Sequence, residues 1–245
     1  MQSHPLNYFD KIFVINLPSR PDRRSELLQE FSAIGFAPST VRWFDAVKPD
    51  DRGPFESIGV RGCFLSHLGI LRQVEKEGAE RLLILEDDAS FAPGFANRFS
   101  HIVDVLARED WDLFYGGGRL DTPVLPSATG LMRVEPQDGI GCSHFIAIKG
   151  SKVADLRAYF EAQLGRPDGD PHGGPMPVDG SYSWARRDLN LTTLIASPDA
   201  CFQRSSRSDI TTQWWDDVYG LRQAAALYRR LKTRTQRAVS HGGMS

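Results

Sequence analysis

At 245 residues the chain is long enough for one large α/β domain or two small ones, either with a proper hydrophobic core. Its 41% hydrophobic and 24% charged content is that of an ordinary globular protein, and no apolar run approaches the roughly 20 residues of a membrane-spanning helix, which excludes one. The net charge of −2 is unevenly spread: residues 221–245 hold Arg222, Arg229, Arg230, Lys232, Arg234 and Arg237 and no acid, so this +6 leaves −8 on the rest (−2 − 6). Such a split argues against a general nucleic-acid binder and for a localised anionic contact. The amino-terminal MQSHPLNYFDK lacks the charged and apolar regions of a secretory signal, and Cys63, Cys142 and Cys201 form no CxxC pair. Both features point to a cytoplasmic chain with reduced core thiols.

In chain order, strand and helix patterns alternate. Residues 12–17 (IFVINL) read as a buried strand. A helix follows, with Ser19 as its cap, Pro21 in the first turn, an apolar stripe of Leu27, Leu28, Phe31 and Ile34, and Gly35 at its end. The link NLPSRPDRR sets Arg20, Arg23 and Arg24 beside the end of that strand, where arginines suit phosphate or carboxylate recognition; a solvated helix face is the other reading. Residues 41–47 form a second strand ending near Asp45. After a polar stretch comes a helix from about residue 62 to 77, with Phe64, Leu68, Leu71 and Val74 along one face. His67 borders that face, where a hydrogen-bonded structural histidine is commoner than a ligand.

The central stretch is 81–91, RLLILEDDASF. Leu82, Leu83, Ile84 and Leu85 read as a strand buried on both faces, and it ends in Glu86, Asp87 and Asp88. If the strand persists, Glu86 and Asp88 share a face and Asp87 points away. Several carboxylates beside an apolar strand are costly without a cation, and a hard divalent ion bound with a phosphate-bearing substrate relieves that cost. A solvated turn before Pro93 is the alternative.

A helix with Phe95, Phe99, Ile102, Val103 and Leu106 at helical spacing follows, then a strand at 111–115 stopped by Gly116, Gly117 and Gly118. Those glycines permit close backbone approach but make no phosphate loop, since no GKS or GKT follows. Residues 131–135 and 143–148 read as a β-pair and 151–164 as a helix. The Gly/Pro-rich 165–177 is long for a connector and reads as a mobile functional lid or a disordered loop. Order resumes at 178–187, a last strand spans 191–196, and Asp209 reads as an ordinary charge at a helix start. An amphipathic basic helix occupies 213–239, with a disordered tail at 240–245.

The segments VINLPSRPDRR (14–24), FDAV (44–47), GVRGCFLSHLGILR (59–72), LILEDDASF (83–91), SHFIAI (143–148), PVD (177–179) and FQRSSRSDI (202–210) stand in the order found in glycosyltransferase family 25, which the chain resembles over roughly residues 10–210. This family comprises lipopolysaccharide-type galactosyltransferases related to collagen galactosyltransferases. The resemblance implies an α/β fold of GT-A type across residues 1–212, a Rossmann-like nucleotide-sugar-binding sandwich with a mainly parallel central sheet and a C-terminal helix. It further implies an inverting transfer of a hexose, typically galactose, from a UDP-sugar to a saccharide or lipid-linked saccharide. Glu86 and Asp88 then take the metal, Mn2+ or Mg2+, and Asn16, Leu17, Arg20, Arg24, Asp45, Ser66, His67 and Asp87 bind the donor.

Glycosyl transfer needs a Lewis acid on the diphosphate and a base on the acceptor hydroxyl. Asp179, after Pro177 and Val178, is the candidate base; its other reading is a helix cap. Two further functions share the carboxylates: a metal-dependent hydrolase or nucleotidyltransferase, which would want extra ligands from a dispersed set (His67, His144, Asp121, Asp138), and a catalytically inactive sugar-nucleotide binder. The closing helix sets Trp214, Val218, Leu221, Ala225 and Tyr228 on one seam and Arg230, Arg234 and Arg237 beyond it. It reads either as a packed helix with a solvated end or as a peripheral contact with anionic lipid at the inner face of a bacterial cell membrane.

Overall fold

The computed structural model describes residues 3–120, 127–167 and 169–204. The expected helix at 213–239, the tail, Asp121 and Asp209 lie outside them. Among the described residues, eleven strands and five α-helices occur in this order: β1 (Lys11–Asn16), α1 (Pro21–Ala33), β2 (Val41–Asp45), α2 (Ile58–Glu77), β3 (Arg81–Glu86), β4 (Ala89–Phe91), α3 (Phe95–Leu106), β5 (Leu113–Tyr115), β6 (Arg119–Leu120), β7 (Leu131–Val134), β8 (Ile140–Gly141), β9 (Phe145–Lys149), α4 (Val153–Gly165), α5 (Val178–Asp188), β10 (Thr193–Ala196) and β11 (Cys201–Gln203).

Seven strands form the central sheet in the order β2-β1-β3-β9-β5-β10-β7. Strands β2, β1 and β3 are parallel, as are β5 and β10; β9 runs antiparallel between β3 and β5, and β7 antiparallel at the edge. Five of the seven strands therefore run one way, as a mainly parallel sheet requires.

The apolar runs are buried on both faces, and they sort by the period of two that a strand imposes. Phe13 and Ile15 of β1 with Leu82 and Ile84 of β3 face α2, α4 and α5, where Phe64, Leu68, Leu71 and Phe160 complete one layer. Ile12 and Val14 with Leu83 and Leu85 face the opposite layer, built by Leu27 and Phe31 of α1 and by Phe95, Phe99 and Ile102 of α3. The result is a helix–sheet–helix sandwich whose parallel strand ends open along one edge.

Three local expectations are corrected. The segments 131–135 and 143–148 do not pair: β7 pairs with β10, and β9 lies between β3 and β5. The four leading residues of β9 are buried, which suits the sheet interior, and β5 and β10 separate it from β7. Helix α1 is preceded by Arg20, which makes no side-chain cap, so Ser19 is not its cap. Helix α2 begins a turn earlier than expected because Ser57 accepts a hydrogen bond from the Val60 amide.

The long loop before α5 is stapled to its neighbours. Tyr159 Oη and Arg166 Nη1 donate to the His172 carbonyl, and Arg187 Nη2 donates to that of Pro171. At the glycine triplet the close-approach reading applies: a Cβ on Gly117 would stand 2.2 Å from the Cys201 carbonyl oxygen.

Candidate active site

A cleft of about 340 Å³ opens where the carboxyl ends of β1, β2 and β3 meet the first turns of α2. Asn16 and Leu17 supply its floor, Ser19 and Arg23 one wall, Ala46–Lys48 another, and Glu86, Asp87, Asp88 and Gln203 the far side. Gly62, Cys63 and Ser66 of α2 close the back. Gly62 lets the helix in so close that a Cβ there would stand 2.4 Å from the Val47 carbonyl oxygen. Ser66 fixes the same approach, since its Oγ accepts from the Val47 amide and donates to the Gly62 carbonyl.

Strand β3 stops at Glu86, so the expected alternation of Glu86 and Asp88 against Asp87 does not hold: residues 87 and 88 form a turn, and all three carboxylates line the cleft. They differ in what they already bind. Asp87 is claimed at both oxygens, by Asn16 Nδ2 at 2.7 Å on Oδ2 and by Arg23 Nη1 at 2.9 Å on Oδ1. Glu86 is held through one oxygen: Ser143 Oγ donates to Oε1 at 2.9 Å, Cys63 Sγ lies 4.0 Å away and His67 Nε2 3.7 Å away. Among the described residues no donor reaches its Oε2. Asp88 accepts from Gln203 Nε2 on Oδ2, while its buried Oδ1 has no partner among the described residues.

Electrostatics separates the three. Burial pushes the Glu86 carboxyl up, but the facing His67 imidazole and the Ser143 hydroxyl outweigh it and hold it below the usual range. Burial raises Asp88 to about 7, with Glu86 adding to the effect. Burial also raises Asp87, offset in part by Arg23 and Asn16. Desolvation, reinforced by Glu86, drives the Cys63 thiol far up and keeps it protonated. Cys63, His67 and Glu86 bring their ligand atoms within 4.8 Å of one another, yet the soft sulfur makes that trio a poorer site for a hard cation than the oxygens of Glu86 and Asp88.

A second cleft of about 270 Å³ adjoins the first and shares Cys63, Glu86 and Gln203 with it. Its other side is Asp179, with Arg119, Cys142 and Ser143. Asp179 is not the α5 cap, a place taken by Pro177. It sits in the first turn, where Oδ2 accepts from the Cys142 amide at 3.2 Å and Oδ1 from that of Gly180 at 2.9 Å.

Of the residues expected from sequence, Asn16, Leu17, Ser66, Glu86, Asp87 and Asp88 converge on the first cleft and Asp179 on the second. Four do not line either. Arg20 turns to Asp22, Arg24 lies 4.3 Å over the Trp43 ring, and Asp45 ends β2 in register with Asn16. His67 is fully buried behind Glu86. Helical phase explains the arginines: α1 starts at Pro21, and the turn it imposes brings Arg23, rather than its neighbours, to Asp87. Arg23, Cys63, Ser143 and Gln203 are not among the expected site residues; Arg23 stands in the arginine run, and the other three lie in the segments 59–72, 143–148 and 202–210 that carry the family resemblance. Cys63 is accordingly a site-lining thiol and not only a core one. Of the extra ligands a hydrolase would want, His67 stands 3.7 Å from Glu86, whereas His144 is buried outside both cleft linings, Asp138 lies in a loop whose carbonyl accepts from Arg186, and Asp121 lies outside the described residues.

Comparison with known proteins bears on this arrangement. The human inactive glycosyltransferase 25 family member 3 is 30% identical over 178 residues, covering 63% of this chain and 29% of that protein. Mouse procollagen galactosyltransferase 2 is 32% identical over 129 residues, 44% of this chain and 21% of that one. The chain thus spans less than a third of the length of these curated relatives. A solved structure of a glycosyltransferase involved in the glycosylation of the major capsid of PBCV-1 aligns over 90% of this chain and 98% of its own, with a TM-score of 0.49 and 10% identity. Residues 9–136, which run from β1 through the carboxylate turn to β7, match the family described as glycosyltransferase family 25 (LPS biosynthesis protein), and the chain belongs to that family.

Proposed function

We propose that this chain is a glycosyltransferase that holds a nucleotide-sugar donor, UDP-galactose first among candidates, in the β1–β3 cleft. It passes the hexose to a hydroxyl of a saccharide or lipid-linked saccharide in the adjoining cleft. One observation carries the reading: Asp87 is saturated by Asn16 and Arg23, whereas Glu86 Oε2 and Asp88 Oδ1 take no protein donor among the described residues. Two unclaimed hard oxygens at the end of a buried strand fit a divalent cation, Mn2+ or Mg2+. When bound, such an ion supplies Lewis-acid stabilisation of a diphosphate leaving group.

The chain's own groups do the positioning. Asn16 ties the end of β1 to Asp87, and Arg23 and Lys48 bring positive charge to the cleft wall, where donor phosphates would lie. Asp179, across Glu86 from the donor cleft, takes the proton of the attacking acceptor hydroxyl. The new bond to the anomeric carbon forms as the diphosphate leaves, and a single displacement from the opposite side inverts the configuration. Two clefts meeting at Glu86 and Cys63 support that in-line approach.

The galactosyl assignment draws on the procollagen galactosyltransferase relative. Relatives named inactive favour a second reading, a sugar-nucleotide binder without turnover. The cationic segment 213–239 is proposed to hold the protein at an anionic membrane face, which liposome flotation of the full chain against a form truncated after Leu227 would test.

The test of the main reading is calorimetric titration of UDP with and without Mn2+, followed by UDP release from UDP-galactose, in wild type and in Glu86→Ala/Asp88→Ala. Mn2+-dependent binding and turnover, both lost in the double variant, are expected. Binding indifferent to Mn2+ overturns the cation site; binding without turnover across acceptors leaves the second reading.

A further inference from the structure

We infer that His67 is a positioning residue for Glu86, an inference that rests on the reading of Glu86 as a cation ligand. His67 sits in α2 within an apolar layer between Phe64 and Leu68 and is 0% exposed. An imidazole there costs free energy unless its nitrogens find partners. One does: Nδ1 lies 3.1 Å from Tyr182 Oη, and the rings meet edge-on at 5.6 Å. The other, Nε2, has no hydrogen-bond partner among the described residues and stands 3.7 Å from Glu86 Oε1. Tyr182 is itself fully buried, so the dyad is sealed from water on its core side.

The chemistry of the dyad orders the protons. With Tyr182 donating its hydroxyl proton to Nδ1, the ring proton sits on Nε2 and points at the carboxylate. Ser143 Oγ already donates to the same oxygen. Glu86 Oε1 is therefore bonded by Ser143 and faced from behind by His67 at 3.7 Å, which leaves Oε2 for the cleft. A packing role alone would be met by any ring of that size and leaves the polar atoms unexplained. Tyr182 also stands three residues after Asp179 on α5, so one helix both presents the candidate base and backs the candidate ligand.

The experiment measures Mn2+ binding in the presence of UDP by loss of the free-ion EPR signal, at one pH, with melting midpoints alongside. It uses the full chain, His67→Gln, His67→Asn and Tyr182→Phe. Glutamine can set its amide nitrogen near the Nε2 position, and asparagine near that of Nδ1. His67→Gln is expected within about threefold of wild type, and His67→Asn roughly ten- to a hundredfold weaker at a comparable midpoint, the usual cost of losing a ligand's outer support. Tyr182→Phe is expected to weaken binding by a smaller factor. Equal affinity in the glutamine and asparagine variants confines His67 to packing and overturns the inference. Should both fail to fold, Tyr182→Phe decides: weaker binding at wild-type stability supports it, and unchanged binding overturns it. Failure of the wild type to bind Mn2+ overturns the underlying reading of Glu86, a result the wild-type arm identifies by itself.

Discussion

Arg23 and Asp87, 64 residues apart in sequence, form a 2.9 Å ion pair whose side chains are 11% and 9% exposed. With Asn16 on the other Asp87 oxygen, the pair joins the first turn of α1 to the end of β3 across the intervening β1. It decides which of the three carboxylates is spent on structure.

Arg23→Ala removes the cation and leaves Asp87 buried with Asn16 alone. Breaking one side of such a pair is expected to cost on the order of 3 kcal/mol. Urea denaturation of the single variant should show that loss, and Arg23→Met/Asp87→Asn should recover most of it. A single variant as stable as wild type would mean that the pair contributes nothing.

Asp88 is buried with one oxygen unpartnered among the described residues, an arrangement that is unfavourable for folding without a cation. Asp88→Asn keeps an acceptor for Gln203 and removes the charge, so it is expected to stabilise the metal-free protein by about 1–2 kcal/mol. The same change is expected to abolish the gain in UDP affinity that Mn2+ confers. Urea midpoints and calorimetry on the same samples check both halves, and a destabilised variant that still binds UDP through Mn2+ contradicts them.

Asp179→Asn keeps only one of the backbone contacts at Cys142 and Gly180, since the two use different carboxylate oxygens and an amide has a single accepting one. UDP binding should be retained while transfer falls by roughly two to four orders of magnitude, as loss of a general base does. Near-normal turnover would reduce Asp179 to an anchor for the start of α5.

Burial raises the Asp199 carboxyl to about 7, with the Gly118 amide and Arg98 offsetting only part of the effect. In the unfolded chain an aspartate loses its proton near pH 4, so between about pH 4 and 7 the folded state binds the extra proton and stability falls as pH rises. Asp199→Asn should flatten that slope and raise stability at pH 8 by up to roughly 4 kcal/mol, at about 1.4 kcal/mol per unit. Chemical denaturation at pH 4.5 and 8 measures it. Asp88 and Asp87, which burial pushes the same way, keep part of the slope in that window, and the buried His144, lowered by desolvation, opposes it.

The strands and helices that build the core were legible from sequence alone. Four consecutive apolar residues in β1 and in β3 can be satisfied only by burial on both faces, and the spacing of Phe95, Phe99, Ile102 and Leu106 allows one helical face. The place of the carboxylates followed, because an apolar strand that stops in Glu86, Asp87 and Asp88 brings them to a sheet edge whatever surrounds it. Strand order was not legible: β9 enters antiparallel between β3 and β5, and β7 seeks β10, through contacts tens of residues apart that leave no local pattern. Nor was the fate of each carboxylate. Only the tertiary structure carries Arg23 and Asn16 to Asp87, Ser143 and His67 to Glu86, and Gln203 to Asp88. A side chain's type sets what it can bind, but which oxygen remains free depends on donors that folding delivers from distant parts of the chain.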